Sequence, residues 1–318
     1  MIEDRLKKRE QAMLFINRRG YANFVSCRSC GEAIRCPHCD VTLTLHNNSR
    51  LVCHYCGYSI SMPDRCPACS SPYIANFGVG TQKIEQMTKK MFPAARVLRM
   101  DLDTTSKKGG HEEILTAFSE GEADILIGTQ MIVKGHDFPN VTLVGVLAAD
   151  LSLNTPDYRS AERTFQLLTQ AAGRAGRDSR NGDVVIQTYS PEHYSIVTAA
   201  NQDYEAFYQQ EMAYRRLMKY PPASGLLTVQ FSSRKEDCLK EAAALAAGFV
   251  APLAEQEAVQ VIGPVDASVY KINDIYRKIL YLKQENYDIL IKIRDHIDVF
   301  SENHWQLFDQ VMIQYDFS

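Results

Sequence analysis

The order of elements predicts an α/β protein. A parallel sheet with helices on both faces is interrupted near its start by a small cysteine-rich insertion and is followed by a compact α+β domain. Three observations carry this. Eight of the nine cysteines lie in four Cys-x-x-Cys pairs: Cys27/Cys30, Cys36/Cys39, Cys53/Cys56 and Cys66/Cys69. Strand, helix and strand then alternate, with nearly unbroken apolar strands of the kind that parallel sheets bury. After Gly225 the order is strand, helix, strand, strand, helix, strand, which predicts a ferredoxin-like α+β domain.

Taken in chain order, Met1 to Leu6 is a charged helical stretch, and Ala12 to Tyr21 carries the first strand. The cysteine pairs follow. Each offers two thiolates from one tight turn, and two pairs close the tetrahedral Cys₄ site that structural zinc prefers. Four pairs therefore mean two metal ions. The competing readings are disulfides and iron–sulfur ligation. Disulfides suit a chain with a secretory leader, and iron–sulfur ligands are usually less evenly spaced. Thirteen residues, Asp40 to Val52, separate Cys39 from Cys53 and alternate as a β-hairpin, Val41 to Leu45 out and Leu51-Val52 back. That zinc ribbon pairs Cys36, Cys39, Cys53 and Cys56, leaving Cys27, Cys30, Cys66 and Cys69 for a nested second site. The alternative is a sequential arrangement, the first four cysteines and then the last four. His38, His46 and His54 are expected beside the sites rather than as ligands. Tyr55, Tyr58, Ile60 and Met62 are expected to form an exposed protein-binding surface, and Arg28, Arg35, Arg50 and Arg65 to offset the negative clusters.

Ala123 to Ile127 is a short apolar strand that ends in Gly128-Thr129-Gln130, followed by a loop from Met131 to Pro139. A second buried strand, Val141 to Leu147, runs on to Asp150. A helix from about Arg159 to Gly173 ends in Gln170-Ala171-Ala172-Gly173-Arg174-Ala175-Gly176-Arg177, and a strand from Asp183 to Tyr189 comes after it. Gly173 and Gly176 allow close backbone packing at the helix end, so that Arg174 and Arg177 project from a small rigid platform. A guanidinium fork suits phosphate oxygens.

Gln-x-x-Gly-Arg-x-Gly-Arg and Gly-Thr-Gln-x₄-Gly-x-Asp-x-Pro resemble the last two signature motifs of superfamily 2 helicases, both in the second RecA-like motor lobe. With the eight cysteines and Gly78-Val79-Gly80-Thr81, the whole chain resembles the C-terminal part of the PriA family of primosomal replication-restart helicases. The resemblance implies Arg177 as the arginine finger with Arg174 beside it, and Gly135, Asp137 and Gln170 bordering the nucleotide. It implies Thr129 and Lys134 on the DNA backbone. It also implies ATP and Mg²⁺ besides two zinc ions, 3′–5′ DNA unwinding, and recognition of stalled forks. The partners it implies are branched and single-stranded DNA, single-stranded DNA-binding protein, and primosome or helicase-loading proteins.

The chain has no Gly-Lys-Ser/Thr and no Asp-Glu dipeptide, the phosphate-cradling and metal-orienting elements a motor needs. These are expected in a first lobe, and the chain is expected to be a C-terminal fragment that is inactive alone. A non-catalytic zinc-ribbon scaffold on a RecA-like fold is the other reading; the arginine pair and the Asp137 loop favour the motor.

The expected organisation is a RecA-like lobe over 1–24 and 71–200, the zinc insertion over 25–70, a connecting helix over 201–224, and the C-terminal domain over 225–318. The helix carries Tyr204, Phe207, Tyr208, Tyr214 and Leu217, expected to pack against a neighbour, with base stacking as the alternative. In the C-terminal domain the second strand is expected to stop at Ile262-Gly263-Pro264, and Lys271, Arg277 and Lys278 are candidate DNA contacts. No apolar run approaches a membrane span, so a soluble, intracellular protein is expected, and the resemblance implies a cytoplasmic, nucleoid-associated one. The formal charge of −3 becomes −7 with eight thiolates and two Zn²⁺, which argues against sequence-blind coating of DNA.

Overall fold

The computed structural model describes residues 1–16, 24–45, 50–77, 80–101, 104–105, 109–132, 138–176 and 181–318. The chain divides into two compact units, Met1–Ala22 with Gly78–Glu211, and Asn23–Phe77 with Met212–Ser318.

The first unit is built on a parallel sheet in the order Asp183–Ile186, Val141–Leu147, Gln11–Ile16, Ile125–Gly128, Val97–Met100. Gln11–Ile16 is central and buried along its whole length, which is why it reads as an apolar run without alternation. Its side chains still alternate between two cores. Met13 and Phe15 face Leu126, Val144, Phe118 and Phe165 on one side. Ala12, Leu14 and Ile16 face Ile125, Ile127, Leu143 and Ile84 on the other. Helices cover both faces: Gly110–Ser119 and Ser160–Ala172 contribute to the first core, Thr81–Met91 to the second.

Two of the expected elements differ. The last strand stops at Ile186, because the Thr188 hydroxyl and the Tyr189 N–H both turn to the Asp150 carboxylate, each at 2.9 Å. The connecting helix, expected over 201–224, runs only over Tyr204–Met218 and is preceded by a separate short helix. Tyr194–Ala200 ends, and Tyr204–Met218 begins after Gln202 takes a left-handed φ of 55° and the Asp203 carboxylate caps the Ala206 N–H at 2.9 Å.

In the second unit the cysteine-rich segment forms an antiparallel sheet in the order Ser59–Ser61, Arg50–Val52, Thr44–Leu45, Phe24–Cys27, Ile74–Phe77. The outgoing strand of the expected hairpin is reduced to Thr44–Leu45, since Thr42 bridges Arg35 instead. Tyr58, Ile60 and Met62, expected on the surface, pack partly buried against Val25, Leu43 and Leu51, and only Tyr55 stays largely exposed. The remainder is an antiparallel sheet in the order Gln260–Ile272, Ile275–Gln284, Gly225–Ser233, Met312–Phe317. Helices Glu236–Gln256 and Tyr287–Asn303 pack Ala242, Ala246, Leu290 and Ile293 onto Leu227, Val229, Phe231, Leu280 and Leu282. This is the ferredoxin-like arrangement. Gly263-Pro264 does not end its second strand. The register shifts there and the strand continues to Ile272, making with Ile275–Gln284 a long hairpin that turns at Asn273-Asp274, both with φ above 50°.

Candidate functional site

The cysteine pairs sit on four similar turns. In three of them the residue four places on closes the turn with a backbone bond: Gly31 N–H to Cys27 O and Gly57 N–H to Cys53 O at 2.9 Å, and Ser70 N–H to Cys66 O at 2.8 Å. Those residues have φ of 79°, 78° and 59°, the left-handed region that glycine enters without strain. The turns aim their sulfurs inward, and the eight sulfurs gather in two groups. Cys27, Cys30, Cys66 and Cys69 form one and Cys36, Cys39, Cys53 and Cys56 the other, with the ligand atoms of each within 4.8 Å of one another. The grouping is nested.

Both groups suit a tetrahedral metal. Sγ–Sγ separations are 3.6 Å for Cys27–Cys69, 3.7 Å for Cys30–Cys66 and 3.6 Å for Cys36–Cys56. A regular tetrahedron with Zn–S bonds of about 2.3 Å has an edge of about 3.8 Å, whereas a disulfide would draw two sulfurs to about 2.05 Å. As free thiols the clusters would be ill matched. Within the first group the backbone N–H of Cys30 holds Cys27 down to about 6, whereas Cys69, despite the backbone N–H of Ser71, is raised to about 12 by its bond to Cys30. A divalent cation resolves this by holding all four sulfurs as thiolates. Two Cys₄ sites that fit zinc are thus present. His38 has Asp274 as its partner at 2.7 Å, not a metal group. Cys238, the ninth cysteine, lies on the helix Glu236–Gln256 against the C-terminal core.

In the first unit, Gly128 ends its strand where a side chain cannot fit: a Cβ would lie 2.4 Å from Ile132 Cγ2 and 2.7 Å from Met100 O. This close approach lets the chain turn back at Thr129, whose carbonyl accepts the Ile132 N–H at 3.0 Å. Thr129 is half-buried there. The Gln130 Oε1 is buried with no hydrogen-bond partner among the described residues. Phe138 leads through Asn140 into the strand Val141–Leu147. At that point the Gly176 N–H, with φ of 69° at its residue, donates to Val141 O at 3.0 Å. The segment after Arg174 therefore meets the amino-terminal end of the strand Val141–Leu147. Arg174 is half-buried just past the helix Ser160–Ala172, and Gln170 is exposed on its last turn. Lys134, Gly135, Asp137 and Arg177 lie outside the described residues.

Sequence reasoning passed over Asp101. It follows the strand Val97–Met100 and accepts from the Thr81 hydroxyl, from the Thr104 N–H at 3.1 Å, and from Arg99 at 2.8 Å. Burial opposes its charge, yet these donors hold the carboxyl below the ordinary range. The signal was there in part: Gly80-Thr81 was singled out, but its partner lies 20 residues on. Other candidates are engaged within the fold. Lys271 donates to Pro37 O at 2.8 Å, Lys278 to Asp266 at 2.7 Å, and Arg277 to Val269 O. Phe207 is buried and stacked on Phe165 at 4.1 Å, while Tyr204, Tyr208 and Tyr214 stay exposed.

Family models match along the chain. One described as the PriA DNA helicase Cys-rich region domain covers residues 36–60. The helicase conserved C-terminal domain covers 74–179, and the primosomal protein N C-terminal domain covers 216–313. The chain is 51% identical over 303 residues to the replication restart protein PriA of Bacillus subtilis, covering 93% of this chain and 37% of that protein. It is 45% identical over 288 residues to the Synechocystis protein of the same name, covering 88% and 34%, and 40% identical over 293 residues to that of Treponema pallidum, covering 91% and 44%. The chain thus spans well under half the length of these relatives. Among solved structures it is similar to the Pyrococcus furiosus Hef helicase domain, with a TM-score of 0.28, 14% identity, and coverage of 63% of this chain and 26% of that one. Saccharomyces cerevisiae Dbp5 bound to RNA and ADP BeF3 gives 0.30, 13%, 69% and 41%.

Proposed function

The chain belongs to the PriA replication-restart family, and from that premise we propose that it is the second motor lobe, zinc module and C-terminal domain of an ATP-dependent 3′–5′ DNA helicase. The helicase would recognise stalled or branched forks and start primosome assembly. One observation supports the motor reading: the Gly176 N–H bonds to Val141 O, so the chain just past Arg174 lies at the start of the strand that follows the loop from Met131 to Pro139. Two segments far apart in sequence so share one end of a strand, and the reading has a first lobe place a triphosphate against them.

In this reading Arg177, with Arg174 beside it, sets positive charge against the transferring phosphoryl group. A charge so placed accounts for about 10³–10⁵ in rate in related enzymes. Gly135, Asp137 and Gln170 border the nucleotide, and Thr129 and Lys134 touch the DNA backbone. ATP with Mg²⁺ supplies the free energy of translocation. The phosphate-cradling loop comes from a first lobe, since none is present among the 318 residues. The cysteine groups hold two structural zinc ions with no open coordination position. The zinc module contacts single-stranded DNA-binding protein and helicase-loading proteins, and the whole acts in the cytoplasm at the nucleoid. No helix among the described residues is long and apolar enough to cross a membrane.

The test joins this chain to a first lobe and measures unwinding of duplexes with a 3′ or a 5′ single-stranded tail and of forked duplexes. Opening of forks and of the substrate tracked 3′ to 5′, with none by the 318 residues alone, supports the reading. Equal opening of both tails, or ATP hydrolysis by the isolated chain, would contradict it.

A further inference from the structure

Three of the four cysteine turns close on themselves; the fourth does not. In the Cys36–Cys39 turn the corresponding N–H, that of Asp40, leaves its own turn and donates to Lys271 O at 2.7 Å. Lys271 is the second-last residue of Gln260–Ile272, at the tip of the long hairpin of the C-terminal domain. The tip makes four more polar bonds to the same turn. The Asn273 N–H donates to Cys39 Sγ at 3.2 Å, and the Asp274 N–H to His38 O at 2.9 Å. Lys271 Nζ reaches Pro37 O at 2.8 Å, and the Asp274 carboxylate reaches His38 Nδ1 at 2.7 Å. Ile272 adds an apolar contact to the ribbon core. The left-handed φ of 51° at Asn273 and 60° at Asp274 is what points both N–H groups toward the turn.

We propose that this hairpin tip is a built-in part of the inner metal site. It closes the one turn that lacks its own closing bond and supplies a backbone donor to a ligand sulfur, so that holding the inner metal and docking the tip are one coupled equilibrium. The proposal rests on the reading that Cys36, Cys39, Cys53 and Cys56 bind zinc. The physical basis is general. A thiolate that accepts an N–H bond is fixed in orientation, and loss of such outer partners typically weakens metal binding about 10–100-fold. Coupling is reciprocal: whatever the tip adds to metal retention, the metal adds to retention of the tip. Among the described residues the outer site has no equivalent, because its turns at Cys27 and Cys66 close with Gly31 and Ser70. Lys271 and Asp274 are positioning residues here, not ligands.

The experiment uses the whole 318-residue chain, loaded with zinc, and follows zinc release to a chromophoric chelator as the thiols are titrated. The double variant Lys271→Ala/Asp274→Ala should start with two zincs and lose one about 10–100-fold faster than the parent, while the other leaves at the parental rate. Asn273→Gly keeps both the N–H and the left-handed backbone and should match the parent. Hydrogen exchange supplies a second readout. Cys36→Ser should deprotect the amides of Asn273 and Asp274 while leaving those of Leu280 and Leu282 protected, and Cys66→Ser should leave all four protected. Two zincs released at parental rates from the double variant, or a tip still protected in Cys36→Ser, would overturn the proposal alone. A parent chain holding fewer than two zincs would overturn the metal reading and the proposal together.

Discussion

Asp101 shows how a single buried charge fixes the edge of the first unit. Its carboxylate ties Thr81, at the start of one helix, to Arg99 and Thr104 around the end of a strand, and Arg99 in turn reaches Glu85 at 3.0 Å. Asp101→Asn leaves Arg99 short of a partner and should cost about 1–3 kcal/mol in chemical denaturation at neutral pH. Because the folded carboxyl titrates below its ordinary value, this stabilisation is fully present above the unfolded range near ~3.9. It fades as pH falls through the lower folded value, so the difference between the two proteins should shrink in acid; a gap that widened would contradict the assignment. Gly128 illustrates the opposite constraint, space rather than charge. Gly128→Ala forces a methyl against Met100 O and Ile132, and should cost about 1–3 kcal/mol in melting or denaturant titration. Arg174 and Arg177 were legible as a motif, because the Gly-Arg pair repeats within four residues. Asp101 was not, since nothing local in the sequence tells a buried aspartate from a solvated one.

Elements were legible to the degree that their period was local. The buried strands Gln11–Ile16, Ile125–Gly128 and Val141–Leu147 stand out because both their faces are covered, and the cysteine turns because four spacings repeat. The break at Asn201–Asp203 and the continuation past Gly263-Pro264 were missed for one physical reason. A turn-forming residue signals that the chain can bend, while tertiary partners decide whether it stops. The hairpin tip was likewise invisible, since Asp40 and Lys271 are brought together only by the fold. A metal-supported element should also respond to its metal separately. Elemental analysis should give two zincs per chain. Cys36→Ser should leave one and unfold the strand pair Thr44–Leu45/Arg50–Val52, while the parallel sheet of the first unit keeps its amide protection. Iron in place of zinc, or loss of that sheet along with the ribbon, would contradict the account.

At the scale of the molecule, the sequence carried the fold class and the family, and the structure added where their parts meet. The first unit presents a parallel sheet in which Gly176, two residues past Arg174, bonds to the start of the strand Val141–Leu147. The second presents a zinc-fitted ribbon and a ferredoxin-like domain joined by a hairpin tip. No Gly-Lys-Ser/Thr loop occurs among the 318 residues, so the proposed motor reading needs a first lobe to supply one. The most direct measurement is therefore DNA-stimulated ATP turnover in a protein that joins this chain to such a lobe, with and without Arg177→Ala. The account predicts no turnover by the 318 residues alone and clear turnover in the joined protein. It further predicts that Arg177→Ala lowers kcat by about 10³ or more with a much smaller change in nucleotide Kd and an unchanged zinc content. Near-parental turnover in both Arg177→Ala and Arg174→Ala would contradict it and leave a zinc-bearing scaffold in its place.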